Sequence, residues 1–181
     1  FFFFFFPMKS NLPQALAFTL TFEGGWSDFP SDPGGATMKG ITLATYRGWL
    51  DNPVTKEQLK AIPRHHVEAI YQQRYWNAVR GDMLPSGYDA CMFDYAVNSG
   101  PGRALQHDKA LSPTIGGPAR IKALCARRMA FLRGLKTFSV FSKGWTQRVT
   151  SLEAFCLRLA GLSPSELKAE SAKAASRSRK N

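Results

Sequence analysis

The sequence is poor in the residues that hold metals and disulfides. Its 181 residues include three cysteines and three histidines. Cys91, Cys125 and Cys156 are odd in number and far apart, with no CxxC or Cys/His cluster, which argues against a disulfide framework and a zinc site. They read as reduced, buried, small hydrophobes. His65 and His66 are adjacent on a predicted helix and so point in different directions, and His107 stands alone. No metal and no cofactor is expected. Also missing is any apolar run near the roughly 20 residues that span a bilayer. No basic segment followed by an apolar stretch and a small-residue cleavage site opens the chain either. The expectation is a soluble chain without a signal peptide. No internal repeat is visible.

Acid is scarce in the second half. Residues 1–100 hold eight Lys/Arg and nine Asp/Glu, a net of −1, whereas residues 101–181 hold sixteen and four, a net of +12. Such a half seeks a polyanion: nucleic acid, anionic lipid, lipopolysaccharide, or teichoic or peptidoglycan carboxylates. Nucleic acid gains no further support, because no recognised binding motif accompanies the charge.

What is present is enough for one core. A chain of this length with 44% hydrophobic residues fits a single compact unit. Phe1 to Phe6 and Pro7 stand apart, because six identical aromatics form no periodic face and Met8 follows as a natural initiator. They read as an appended hydrophobic tag, suited to entering an outer membrane or left over from cloning.

From Met8 onward the patterning is helical. Ser10 or Asn11 with Pro13 opens a helix whose face carries Leu12, Ala15, Leu16, Thr19 and Phe22 until Gly24-Gly25 stops it. Trp26 to Gly40 is too rich in Asp, Pro, Gly and Ser for a helix and predicts a loop or short β-hairpin near residues 26–41. Thr55 and Gln58 form a capping box, and Pro63 starts a helix through Trp76 in which Arg64 and Glu68 are spaced to pair. Tyr88 to Val97 is apolar nearly all round, a central buried helix ended by Gly100-Pro101-Gly102. Striped helices follow over 118–135 and 141–159, the latter with Phe141, Trp145, Val149, Leu152, Cys156 and Leu159 on one face. Ser163 to Glu166 caps a lysine- and alanine-rich tail.

Glu23 and Asp32 are the residues with chemistry to offer. Glycosidic cleavage needs an acid for the leaving oxygen and usually a second carboxylate that guides water or stabilises the oxocarbenium ion. Glu23, at the end of an apolar helix beside Phe22 and Trp26 and near the negative end of the helix dipole, is placed to stay protonated. Asp32, before the Pro33-Gly34-Gly35 turn, is placed to stay wet and ionised. Spacing alone leaves the bland reading open: a solvated Glu at a helix end and an Asp in an ordinary turn. Asp94 and Asn98, four apart on the apolar helix, are either a buried hydrogen-bonding pair or the floor of a cleft. Tyr46, Trp49, Tyr75 and Trp76 suit sugar stacking and core packing alike.

The run Glu23-Gly24-Gly25-Trp26-Ser27-Asp28, through Asp32 to Thr37 and Lys39-Gly40-Ile41-Thr42, closely resembles the opening of glycoside hydrolase family 108. These are N-acetylmuramidases of phage endolysins and bacterial secretion activators. The resemblance continues at Ile70-Tyr71, Tyr75-Trp76, Phe93-Asp94, Ala96 to Gly102, Arg128 to Gly134 and Trp145, covering about Leu16 to Val149. It implies a mainly α, lysozyme-like fold with Glu23 as catalytic acid. The Glu, Asp, Thr order shared with phage lysozymes implies Asp32 and Thr37 as partners, with Asp28 competing for the carboxylate role; Asp28, Asp94 and Asn98 are the candidate substrate-binding residues.

Composition and the resemblance together divide the chain into the 1–7 tag, a catalytic region over 8–102, a helical region over 103–162 and a basic tail over 163–181. The 103–162 region is like an abbreviated peptidoglycan-binding segment, packed in the same domain and shortened between Leu105 and Lys122. The substrate implied is the MurNAc to GlcNAc β-1,4 linkage of peptidoglycan. Anionic envelope polymers or the outer membrane are further partners for the basic half and the Phe tag, and nucleic acid is not. Accumulation in the host cytoplasm before holin-mediated release is also implied. Two rivals remain: a lytic transglycosylase on the same bond, and a non-enzymatic basic protein that perturbs wall or membrane.

Overall fold

The structure is a computed structural model that describes residues 10–29, 35–169 and 172. Asp32, the Phe1–Pro7 segment and the end of the basic tail lie outside the described residues. Helix α1 (Leu12–Leu20) buries Ala15, Leu16 and Thr19. It stops two residues short of Phe22, where the Thr21 hydroxyl donates to the Phe18 carbonyl and so competes with the helical ladder. Asn11 precedes it but gives no side-chain cap; its amide instead donates to Ser86 and Asp89, fixing the helix start to distant chain.

Three two-residue strands follow, β1 (Trp26–Ser27), β2 (Thr37–Met38) and β3 (Ile41–Thr42), antiparallel in the order β1-β2-β3. The β2–β3 turn places Lys39 at φ 50° and Gly40 at φ 73°. Positive φ at both central residues is what a two-residue hairpin needs to match strand twist. Thr42 then caps α2 (Leu43–Leu50) by accepting from the Thr45 amide.

The Thr55/Gln58 capping box forms at α3 (Lys56–Lys60). The Arg64–Glu68 pair forms on α4 (Arg64–Tyr71) at 2.7 Å. The helix predicted to run unbroken to Trp76 widens into a π turn over Gln72–Trp76. That turn brings the Trp76 indole N–H to Asp82 at 2.9 Å and lays its ring where a side chain on Gly81 would stand.

Helix α5 (Tyr88–Ser99) is the hub: every residue from Tyr88 to Ala96 is buried. Around it pack α1, α6 (Pro101–Lys109), α7 (Gly117–Arg133) and α8 (Phe138–Leu159). Gly100, at φ 84°, ends α5, and Pro101 opens α6 with its ring pre-set for a first turn. The three cysteines are free and buried in this core, Cys91 and Cys125 with sulfurs 3.6 Å apart. Burial pushes the Cys156 thiol up, which fits packing and not nucleophilic chemistry.

Side chains at the C-terminal end of α1 and just beyond it reach α8. Phe18 stacks on Phe155 at 4.7 Å, and one turn on, Phe22 lies under the Arg148 guanidinium at 5.4 Å. The predicted stripe of α8 is buried at Val149, Leu152 and Cys156, but at its N-terminal end Phe141 is 51% exposed. Among the described residues no helix is long and apolar enough to cross a membrane.

Candidate active site

Glu23 sits three residues past the end of α1, its side chain 20% exposed. One oxygen, Oε1, accepts from Arg148 Nη1 at 2.9 Å. The other, Oε2, faces the β2–β3 turn: a Cβ on Gly40 would lie 2.9 Å from Oε2 and 2.8 Å from the Tyr71 hydroxyl. Tyr71 donates to the Lys39 carbonyl at 2.7 Å, which pins the turn against α4. Burial and then the Glu23 carboxylate push the Tyr71 phenol up, so it stays a neutral donor. The environment expected for Glu23 was apolar, with Phe22 and Trp26 on either side. A guanidinium 8% exposed has been added to it.

Arg148 is itself held from beneath. Its Nη2 donates to Asp94 Oδ1 at 2.9 Å, and its Nε reaches both Asp94 oxygens at 3.2 Å. Asp94 also accepts from Arg128 Nη1 at 2.7 Å and the Thr19 hydroxyl at 2.9 Å. Burial opposes ionisation of Asp94, but Arg128 and Arg148 more than offset it and hold its carboxyl below the usual range. Two cations thus share one buried anion, and the surplus positive charge on Arg148 is turned toward Glu23. The Arg128 guanidinium also lies 5.1 Å from the Tyr95 ring, an aromatic face for a buried cation.

Asp94 was a candidate substrate-binding residue. At 0% exposure, with both oxygens bonded to the protein, it has no surface to offer a substrate. It is buried and hydrogen-bonded, but not to Asn98, which accepts from the Ser99 hydroxyl at 3.2 Å. The α5 interior has no room for a charge without a cation, and α7 and α8 supply two. Asp28, the rival second carboxylate, is drawn to α3, with both oxygens 3.0 Å from Lys56 Nζ. Thr37 stands on β2, paired with Ser27 and Thr42, two residues before the turn that meets Glu23. Among the aromatics left open, Tyr46 and Trp76 are core residues, while Trp49 and Tyr75 are partly buried against that core.

Arg148, Arg128, Thr19 and Tyr71 were not singled out from the sequence. A signal for the arginines existed: Asp94 on a helix apolar all round requires a cation, and Arg148 lies between Trp145 and Val149 on an apolar stripe. Which arginine answers Asp94 was not readable. Among the described residues no three His, Cys, Asp or Glu side chains converge to hold a metal ion.

The profile of the family described as Glycosyl hydrolase 108 matches residues 16–100, a span that contains Glu23, the hairpin, α4 and α5. Among solved structures, SagA of Brucella abortus is similar at 37% sequence identity and a TM-score of 0.72, covering 84% of this chain and 97% of that one. No curated protein sequence matches.

Proposed function

The chain belongs to glycosyl hydrolase family 108 and is a lysozyme-like, peptidoglycan-hydrolysing glycoside hydrolase; from that premise we propose that it cuts the β-1,4 linkage between N-acetylmuramic acid and N-acetylglucosamine, with Glu23 as general acid. The observation that supports this is the division of labour between the two Glu23 oxygens. Arg148 occupies Oε1, and Oε2 is left on the side of the glycine turn. The proton is carried on Oε2 and passes to the glycosidic oxygen as the C1–O bond breaks. Water adds to the sugar cation, its proton leaving with a carboxylate, and a reducing end is formed. Asp32 is the supporting carboxylate of this reading, and Thr37 its companion on the hairpin. In the same reading the protein is a phage endolysin, made in the host cytoplasm and released to the wall, whose basic half docks on anionic envelope polymers.

The test is Glu23→Gln, which keeps shape and loses the transferable proton. Product analysis by mass spectrometry on purified sacculi should give reducing muramic ends with the wild type and background with the variant, at unchanged melting temperature. Clearing by Glu23→Gln would favour a non-enzymatic action, and 1,6-anhydro products from the wild type would favour a transglycosylase.

A further inference from the structure

The start of α8 carries apolar side chains into solvent among cations. Val140 is 74% and Phe141 51% exposed, and the two are consecutive in the first turn of the helix. The ring of Phe141 lies 5.4 Å from that of Trp145, and Phe138 lies 6.2 Å from the same indole. Phe138 and Trp145 are partly buried against the core, so Phe141 is the outer edge of an aromatic cluster held from within. Val140 has no such support. Valine is a weaker helix former than alanine or lysine, so the helix itself does not call for it at an exposed position. Lys143 is exposed on the face of Val140, three residues on, and Arg133 and Lys136 are exposed where α7 turns into α8. Among the described residues none of these three takes part in an ion pair. No acidic residue occurs between Asp108 and Glu153. The first turn of α8 has neither an acid nor a side-chain cap, so the partial positive charge of the helix start adds to that of the side chains.

We infer that this corner between α7 and α8 docks on an anionic phospholipid surface, with Val140 and Phe141 entering its apolar layer while Arg133, Lys136 and Lys143 meet its phosphates. The inference rests on the reading that the basic half docks on the envelope, and it is independent of the chemistry at Glu23. The patch combines two properties that select lipid over a wall polyanion. Cations alone hold a charged polymer in water, and such a polymer gives an aliphatic side chain nothing to bury in. A bilayer interface offers an apolar layer beneath a negative surface, and segments that lie in it set Phe or Trp beside Lys or Arg in this way. Exposure of neighbouring apolar side chains, which core packing leaves without a cause, is thereby accounted for.

The experiment measures Kd of the full chain by co-sedimentation with vesicles of phosphatidylcholine alone and of phosphatidylcholine mixed equally with phosphatidylglycerol. Binding to lipid-free sacculi is measured in parallel in the Glu23→Gln background. The Phe1–Phe6 segment is common to every protein compared, so differences report this face. Wild type should prefer the phosphatidylglycerol vesicles by at least about tenfold and bind them less tightly as salt rises. Val140→Ser should weaken that binding about threefold, and Val140→Ser with Phe141→Ser about tenfold or more. Lys136→Gln with Lys143→Gln should weaken it about tenfold. Two controls should stay within about twofold, since they lie away from the corner: Met83→Ser, at an apolar side chain 80% exposed elsewhere, and Lys109→Gln with Lys168→Gln. Affinity for sacculi should be unchanged by the apolar substitutions. Val140→Ser alone keeps the test decisive if Phe141→Ser disturbs Trp145 and lowers the melting temperature. Equal binding of wild type and the two apolar variants to anionic vesicles would overturn the inference, because charge alone would then explain it. An equal loss on lipid-free sacculi would overturn it too, by assigning the face to the wall. Wild type that binds sacculi but no anionic vesicle would remove the lipid and leave the docking reading standing, whereas binding to neither would end both.

Discussion

Arg148 Nη1 lies 2.9 Å from Glu23 Oε1, joining residues 125 positions apart in the chain. The same guanidinium is anchored to Asp94, so the candidate acid is positioned by a buried ion network spanning α1, α5, α7 and α8.

That network makes Arg148 a positioning residue whose charge is not enough. Arg148→Lys keeps a cation, but one ammonium cannot span Glu23 and Asp94 as the fork does. Glycan cleavage should fall at least about tenfold, with a stability loss of roughly 1–3 kcal/mol. Arg148→Met strands part of the Asp94 charge and should cost more, up to about 3–5 kcal/mol. Urea unfolding alongside reducing-end release separates the two effects. Lysine performing like arginine in both assays would remove the positioning role.

Gly40 is required on two counts, its φ of 73° and the approach of Tyr71 and Glu23 within 3 Å of its missing Cβ. Gly40→Ala should destabilise by about 1–2 kcal/mol through the left-handed backbone alone. Its effect on turnover should be larger, on the order of 100-fold, because the methyl displaces the Glu23 carboxylate. Gly48→Ala in α2, with open space around it, serves as control and should be neutral or stabilising. Near-normal turnover of Gly40→Ala would show that Oε2 is not the working oxygen.

Acid should unfold the protein through Asp94. Its folded pKa is depressed by Arg128 and Arg148 against the opposing effect of burial. Its contribution is therefore present above the unfolded value of about 3.9 and is lost as pH falls through the folded value. Asp94→Asn should be less stable at pH 7 but flatter in its pH dependence below about pH 4. Urea midpoints of both proteins across that range check this, and parallel curves would refute it.

Asp28 and Lys56 pair at 3.0 Å with side chains 33% and 53% exposed, a surface contact worth under about 1 kcal/mol. Asp28→Asn should change stability and turnover little, whereas Asp32→Asn should depress turnover toward the Glu23→Gln background. The reverse ordering in turbidity assays on sacculi would transfer the carboxylate role to Asp28.

Much of this was legible in the residues themselves. The Thr55/Gln58 capping box, the Arg64–Glu68 pair, the turn-rich hairpin and the buried helix from Tyr88 are all local patterns, and each is present. The errors have local causes too. α1 ends early because the Thr21 hydroxyl takes a helix carbonyl, and the run to Trp76 widens because the indole is drawn to Asp82. Asp94 and Asn98 were read as a buried pair or as the floor of a cleft because i, i+4 spacing places them together, and Asp94 proves buried without bonding Asn98. The spacing cannot tell that Thr19 and two arginines reach Asp94 first.

Helix periods, caps and turn residues act over about four neighbours along the chain, so the sequence by itself determined a mainly α protein with a small hairpin and a glutamate at a helix end. Its glycine-rich motif determined the family. Only the tertiary structure decided which charges meet and which faces stay uncovered. An amphipathic stripe states that one face is apolar, but not where its neighbour stops, and so Phe141 reads from sequence as core while in the fold it stands 51% exposed at the start of α8. An aspartate on an apolar helix calls for a cation. The choice of Arg128 and Arg148 among the many basic residues of the second half is made by the packing of α7 and α8 on α5, where the desolvation cost of Asp94 can be offset by guanidinium donors within 3 Å.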